Sequence, residues 1–244
     1  MLAAFFNEEN GMRILIKDNN KPIAVLYWDS AVIRKYNHHH DKLGRFASAD
    51  GSSGDNILSE LGRHKPGDKV DITDQAIKKV PEKASEYLSD DENKALHDMN
   101  VAVLTESMKH NNSDEVAMAF DGKETSHAVF GDQFSVDVEA DTKIYHFLRA
   151  TEPRSVILTH NHPGKSGPSA EDFLLFLDYP TIKCLSIITN SGKSINVVRT
   201  RDITPEEGDE LFDCLKNNSA KHSERESVDI ALKQGYNFGI RYER

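Results

Sequence analysis

The fold class the sequence predicts is α/β (α+β), with strands mixed among helices over residues 110–220 of a 244-residue chain. Three observations carry that expectation. Short β-type runs alternate with stretches whose apolar residues recur at helical spacing. Two of the runs are joined by a hairpin-like turn, Asn190-Ser-Gly-Lys193, which implies antiparallel pairing. Helix starts carry capping boxes, in which a Ser or Thr and an acidic residue three positions on satisfy each other's free backbone N–H groups.

Taken in order, residues 1–36 read as an N-terminal β-hairpin region: 12–17 and 23–28 alternate around a turn-rich segment at 18–22. Residues 37–56 lose apolar periodicity and are rich in Gly, Ser and Asp, which predicts a polar linker. Two helical stretches are expected over 57–109. The clearer opens at a Ser89/Glu92 capping box and aligns Leu96, Met99 and Val103 on one face. β runs follow at 115–120, 127–130 and 134–138, then a helix over 142–150 that groups Ile144, Phe147 and Leu148. An apolar strand at 155–159 leads into His160, a helix spans about 169–177, and strands are expected at 184–189 and 194–199. The last clear helix starts at Thr204, with Pro205 at its first position and Glu207 completing a capping box. Residues 216–225 read as a solvated helix face, and 221–244 as a C-terminal tail or helix.

Composition narrows the class of function. At 244 residues the chain is long enough for a core without covalent staples, while 38% hydrophobic and 29% charged residues lean polar and suggest that part of the length is extended or loosely packed. No apolar run approaches the roughly 20 residues of a membrane span, and the opening residues are too few and too acidic for a signal peptide. A net charge of −10 argues against general binding to nucleic acid or anionic membrane, which depends on clustered Lys and Arg. Cys184 and Cys214 form no C-x-x-C pair, so both are read as buried reduced thiols, and a cytoplasmic protein is expected, in a bacterial host cell or associated with a virion.

The segment 159–172, Thr-His-Asn-His-Pro-Gly-Lys-Ser-Gly-Pro-Ser-Ala-Glu-Asp, carries the chemistry. Side chains one residue apart on a strand project to the same side, so His160 and His162 share a face. Asp172 follows a short turn later. Two imidazoles and a carboxylate around an open position form a ligand set for a catalytic zinc. Each piece alone has a plainer reading: a His pair at a strand end, Ser169 as N-cap with Asp172 as its capping partner, and Gly and Pro as loop punctuation. Their conjunction favours the metal.

His160-Asn-His162-Pro followed by Ser169-x-x-Asp172 resembles the signature of the JAMM metalloprotease family (also called JAB or MPN-plus), in its bacterial and phage-type branch. The likeness covers about residues 110–200. It implies a three-layer domain with a mixed central sheet flanked by helices, with zinc held by His160, His162 and Asp172. It further implies that Ser169 assists at the oxyanion and that an upstream Glu, hydrogen-bonded to the zinc-bound water, serves as general base. Candidates for that base are Glu115, Glu124 and Glu139. Glu115 resembles the family's glutamate in position and context, whereas Glu124 lies in a turn and Glu139 just ahead of a helix. One departure is visible: six residues separate His162 from Ser169 where the family pattern has seven. The implied reaction is hydrolysis of a peptide or isopeptide bond in a protein or peptide substrate.

Other clusters carry less. Three consecutive histidines at 38–40 cannot converge on one ion in regular structure, and the adjacent Asp41-x-x-Gly-Arg-Phe46 is similar to a short segment of phage and prophage proteins. That hint admits a phage structural or mobile-element partner. Two other functions stay open: a non-catalytic phage or prophage assembly or binding module that keeps the fold, and a toxin or effector. The sequence does not place His127, His146 or Glu152 relative to the site.

Overall fold

The computed structural model describes residues 68–244 and, ahead of them, the backbone of three strands: β1 (Leu2–Glu8), β2 (Gly11–Asp18) and β3 (Lys21–Trp28). These form an antiparallel sheet in the order β1-β2-β3. The hairpin expected at 12–28 is present as β2 and β3, paired from Met12↔Trp28. Its register shifts between Ile16 and Lys17, beside Pro22, which has no N–H to give the ladder. β1 is an addition: its sequence does not alternate, so period-two reading passes over it. The linker at 37–56, the histidines at 38–40 and the phage-like segment lie outside the described residues.

A second sheet has six strands in the order β5-β4-β6-β7-β8-β9. They are β4 (Val116–Phe120), β5 (Val129–Phe130), β6 (Val156–His162), β7 (Ile182–Thr189), β8 (Ser194–Arg199) and β9 (Ile240–Glu243). β6 and β7 run parallel and the other neighbours antiparallel, so the sheet is mixed. Parallel neighbours need a crossover, and α4 (Ala170–Asp178) supplies it. All seven residues of β6 are buried, as expected for an inner strand covered on both faces.

Helices flank both faces. α2 (Asp90–His110) begins at the expected Ser89/Glu92 capping box and lies on one face. Its Leu96 and Met99 bury with Ile157, Cys184 and Val198, and its Val103 and Leu104 with Val116 and Ile188. The opposite face carries α3 (Thr142–Ala150), α4, α5 (Pro205–Ser219) and α6 (Glu224–Gly235). There Phe147, Phe173, Phe176 and Phe212 pack on Ala117, Leu158, Leu185, Ile187 and Val197. The result is a three-layer α/β arrangement. A short helix, α1 (Asp74–Ile77), precedes α2 and buries Ala76. Gly192, in the turn between β7 and β8, has φ +85°, and a Cβ there would stand 2.1 Å from the Ala76 carbonyl oxygen. Only glycine fits.

Of the tail or helix expected over 221–244 the helix forms, as α6; its Val228, Ala231 and Leu232 and the following Ile240 belong to the main core, and β9 pairs with β8. Four expectations are corrected. Residues 216–225 are not one helix face but the junction of α5 and α6, with a new capping box at Ser223/Glu226. No strand forms at 134–138, because the Asp132 and Asp137 carboxylates capture the backbone N–H groups of Phe134, Ser135, Glu139 and Ala140. Residues 127–130 contribute a two-residue strand only. The expected boundary at 110 also falls where α2, a layer of the same domain, ends. No helix among the described residues is long and apolar enough to cross a membrane.

Candidate metal centre

The alternation of β6 sorts its polar residues. Leu158, His160 and His162 share parity on the face that carries α3–α6, while Ile157, Thr159 and Asn161 point toward α2. His160 and His162 are 6% and 2% exposed, so both imidazoles are removed from water. Their Nε2 atoms stand 2.9 Å apart, with ring centroids at 4.8 Å and planes tilted by 58°.

Asp172 reaches them from the first turn of α4. Its Oδ1 is 3.1 Å from His160 Nε2 and its Oδ2 is 3.3 Å from His162 Nε2. Ser169 holds the carboxylate there: its backbone N–H and its hydroxyl donate to Asp172 Oδ2 at 2.7 and 2.8 Å, while its Oγ accepts the Asp172 N–H at 3.0 Å. The capping box and the cluster are therefore one arrangement, and a carboxylate at a helix N-terminus is further favoured by the aligned peptide dipoles. The α4 start is itself tied down by Glu224 of α6, whose Oε1 accepts the Ala170 N–H at 3.0 Å.

Among the described residues, His160, His162 and Asp172 offer ligand atoms within 4.8 Å of one another. Three ligands roughly 2.0–2.1 Å from a shared tetrahedral ion stand about 3.3 Å apart, so the observed triangle is close to the size a zinc requires. The donor chemistry agrees. Two imidazole nitrogens that face each other across 2.9 Å cannot both carry a proton there, and a buried carboxylate closes the triangle. Converging lone pairs in a dry site call for a cation. The electrostatics point the same way. Burial alone would raise the Asp172 carboxyl, but the neighbouring His160 and His162 outweigh it and hold the group well below the usual carboxylate range. Burial would lower His160, but Asp172 and then Glu115 outweigh it and raise the imidazole.

Glu115 immediately precedes β4 and is 3% exposed. Register explains its placement: Ala117 pairs with His160, and Glu115 lies two residues before Ala117, on the same face as the histidines. Its charge acts on His160. Its backbone is held on both sides, with N–H donating to the Asp132 carbonyl and the carbonyl accepting from Gly131 N–H and Asn111 Nδ2. The other two candidate bases lie elsewhere. Glu124 is exposed and paired with Lys143 at 2.9 Å, and Glu139 accepts from the Tyr179 hydroxyl. His127 pairs with Asp141 at 2.7 Å, and His146 and Glu152 are exposed.

Three residues of the site were not singled out by sequence reading. Asn161, between the histidines, is fully buried on the α2 face. Its Oδ1 accepts the Val116 N–H at 2.8 Å, next to Glu115, and its Nδ2 donates to the Asp114 carbonyl and to Asn190 Oδ1. Asn190 in turn donates to the carbonyls of Val70 and Ser113, which joins four segments. Ser166, in the 163–168 loop, stands 3.0 Å from His162 Nδ1 through its hydroxyl. A polar residue within an apolar strand was the available signal for Asn161; nothing in the sequence marked Ser166. Comparison with family models, with curated proteins and with solved structures finds no match for this chain.

Proposed function

We propose that this chain is a zinc-dependent hydrolase that cleaves a peptide or isopeptide bond in a protein or peptide substrate. The observation that carries the proposal is the convergence of His160, His162 and Asp172 in a buried triangle, with the Glu115 carboxylate near enough to act on His160. These three side chains would hold the ion, and their neutral-nitrogen and carboxylate donors suit zinc. A zinc bound there would supply Lewis acidity, polarising a carbonyl and lowering the pKa of a coordinated water to about 7.

The remaining work falls to the chain's own groups. Glu115 takes the proton of the attacking water at a carboxylate oxygen and returns it to the departing amine nitrogen. Burial keeps bulk water from competing for that carboxylate. Ser169 first orients Asp172, and its hydroxyl, once turned from Asp172 Oδ2, donates to the oxyanion. The resemblance to the JAMM family supports the same assignment of roles, and the phage-like segment Asp41-x-x-Gly-Arg-Phe46 supports a phage structural or mobile-element protein as partner. Free thiols at Cys184 and Cys214 suit a reducing compartment, so we place the activity in the cytoplasm.

The test is metal content and turnover measured together. Full-length protein purified from zinc-supplemented medium should carry about one zinc per chain, as should Glu115→Gln, whereas His162→Ala and Asp172→Ala should lose it. Cleavage of a peptide library and of an isopeptide-linked conjugate should vanish in all three variants. Metal-free wild-type protein overturns the proposal, and a fully active Glu115→Gln overturns the assignment of Glu115 as general base.

A further inference from the structure

We infer that Ser166 is a positioning residue of the metal centre, acting through His162 by fixing which imidazole nitrogen is free to bind the ion. The inference rests on the zinc reading above and adds to it a residue outside the ligand set. A neutral imidazole carries one N–H, and a nitrogen binds metal only when it bears no proton. The His162 Nε2 atom is the one that faces His160 Nε2, at 2.9 Å, and Asp172, at 3.3 Å. The proton must then reside on Nδ1, and a buried N–H needs an acceptor. Ser166 Oγ, 3.0 Å from Nδ1, is in place to accept it.

The loop is built to hold that hydroxyl where it is. At one end the Pro163 carbonyl accepts the Val70 N–H at 2.8 Å, and Pro163 and Gly164 are buried. At the other, Gly167 packs against the tip of the Tyr242 side chain, whose hydroxyl would stand 2.9 Å from a Cβ there. Pro168 and the N-cap Ser169 follow directly, both buried. Between these anchors Ser166 is only half-buried, so its substitution leaves the core intact. The opposite tautomer would have Ser166 donating to a bare Nδ1, with the proton on Nε2 blocking the ligand position.

The experiment measures zinc affinity of the full-length protein by competition with a chromophoric chelator. It compares wild type, Ser166→Ala, Ser166→Thr and, as a loop control, Lys165→Ala, whose side chain is exposed. Loss of a group that orients a ligating histidine typically weakens affinity by about 10- to 100-fold. Ser166→Ala should show such a loss, while Ser166→Thr, which keeps the hydroxyl, and Lys165→Ala should match wild type. Long-range proton–nitrogen NMR on the zinc-loaded wild type should place the His162 proton on Nδ1. Unchanged affinity in Ser166→Ala, an equal loss in Ser166→Thr, or a proton on Nε2 overturns the role of Ser166 and leaves the zinc site standing. Failure of the wild type to bind zinc at all overturns both.

Discussion

The two faces of β6 handle buried polar groups in opposite ways. Toward α2, Asn161 has a donor opposite every acceptor: its carbonyl takes the Val116 N–H and its amide nitrogen gives to Asp114 and Asn190. Next to it Thr159 donates to Asn100 at 2.6 Å. Toward α3–α6, His160, His162 and Asp172 aim ligand atoms at one another at 2.9, 3.1 and 3.3 Å. The Asn161 network is complete within the protein and serves the fold, although Asn100 beside it has a buried Nδ2 with no hydrogen-bond partner among the described residues. The other side is a set of ligand atoms with the geometry to hold a cation. One strand alternates between the two tasks because its side chains alternate between faces. Coupling runs through β4, since Asn161 fixes Val116 and the residue before it is Glu115.

That contrast predicts a contrast in response to metal. On the zinc proposal, the metal in thousand-fold excess over its dissociation constant should stabilise the wild type by about 4 kcal/mol, because it would bind the folded state alone. The shift should disappear in Asp172→Asn, which keeps the shape of the side chain but removes its charge. Thermal melts with and without zinc check this, and an undiminished shift in Asp172→Asn would break the assignment of that face. On the α2 face the cost should be intrinsic. Asn161→Ala strands the Val116 N–H and Asn190 Oδ1 in the interior, while the Asp114 carbonyl keeps the Ser107 hydroxyl, for a loss of about 3 kcal/mol in urea unfolding of the metal-free protein. A variant that lost its zinc but kept its stability would reverse the division of labour drawn here.

The Asn190 end of the network depends on the turn that carries it. Gly192→Ala combines a left-handed backbone with a methyl group pressed on the Ala76 carbonyl. We expect a loss of about 2 kcal/mol by the same measurement, with zinc affinity unchanged. A drop in zinc affinity would show that the two faces are less separable than their hydrogen bonds indicate.

Legibility in the sequence followed locality. His160, His162, Ser169 and Asp172 come from one strand–loop–helix segment, so spacing and a capping pattern exposed them. Glu115 joins them only through the β4–β6 pairing of Ala117 with His160, and it was chosen over Glu124 and Glu139 on resemblance. Asn161 enters the sequence reading only through the resemblance to the bacterial and phage-type branch, because its partners lie in remote segments. Alternation at 134–138 suggested a strand because Phe134, Val136 and Val138 fit the pattern, but two aspartates competed for the backbone and won. Over the C-terminal residues the sequence leaves tail and helix both open, because the Val228, Ala231 and Leu232 stripe has helical spacing but is thin among charges.

The smallest effect expected lies at the rim of the α2 face, where Lys183 of β7 donates to both oxygens of Glu92, at 2.6 and 2.7 Å. Partial burial alone would raise the Glu92 carboxyl. The Lys183 ammonium and the Ser89 backbone N–H outweigh that effect and hold it below its usual value of 4.5. A carboxyl whose folded pKa is depressed contributes stability that is fully present above its unfolded pKa. That contribution fades as pH falls through the folded pKa. Stability from this pair should therefore be flat from neutral pH down to about 5 and decline below about 4.5, by no more than about 1 kcal/mol for so accessible an ion pair. Glu92→Gln should remove that part of the acid response in urea titrations at pH 7 and about pH 3.5, provided both proteins remain folded at the lower pH. The same substitution should leave zinc affinity at neutral pH untouched, because the pair touches only the α2 side of the sheet. An acid response identical to wild type would show that Lys183 and Glu92 contribute nothing to holding α2 on β7.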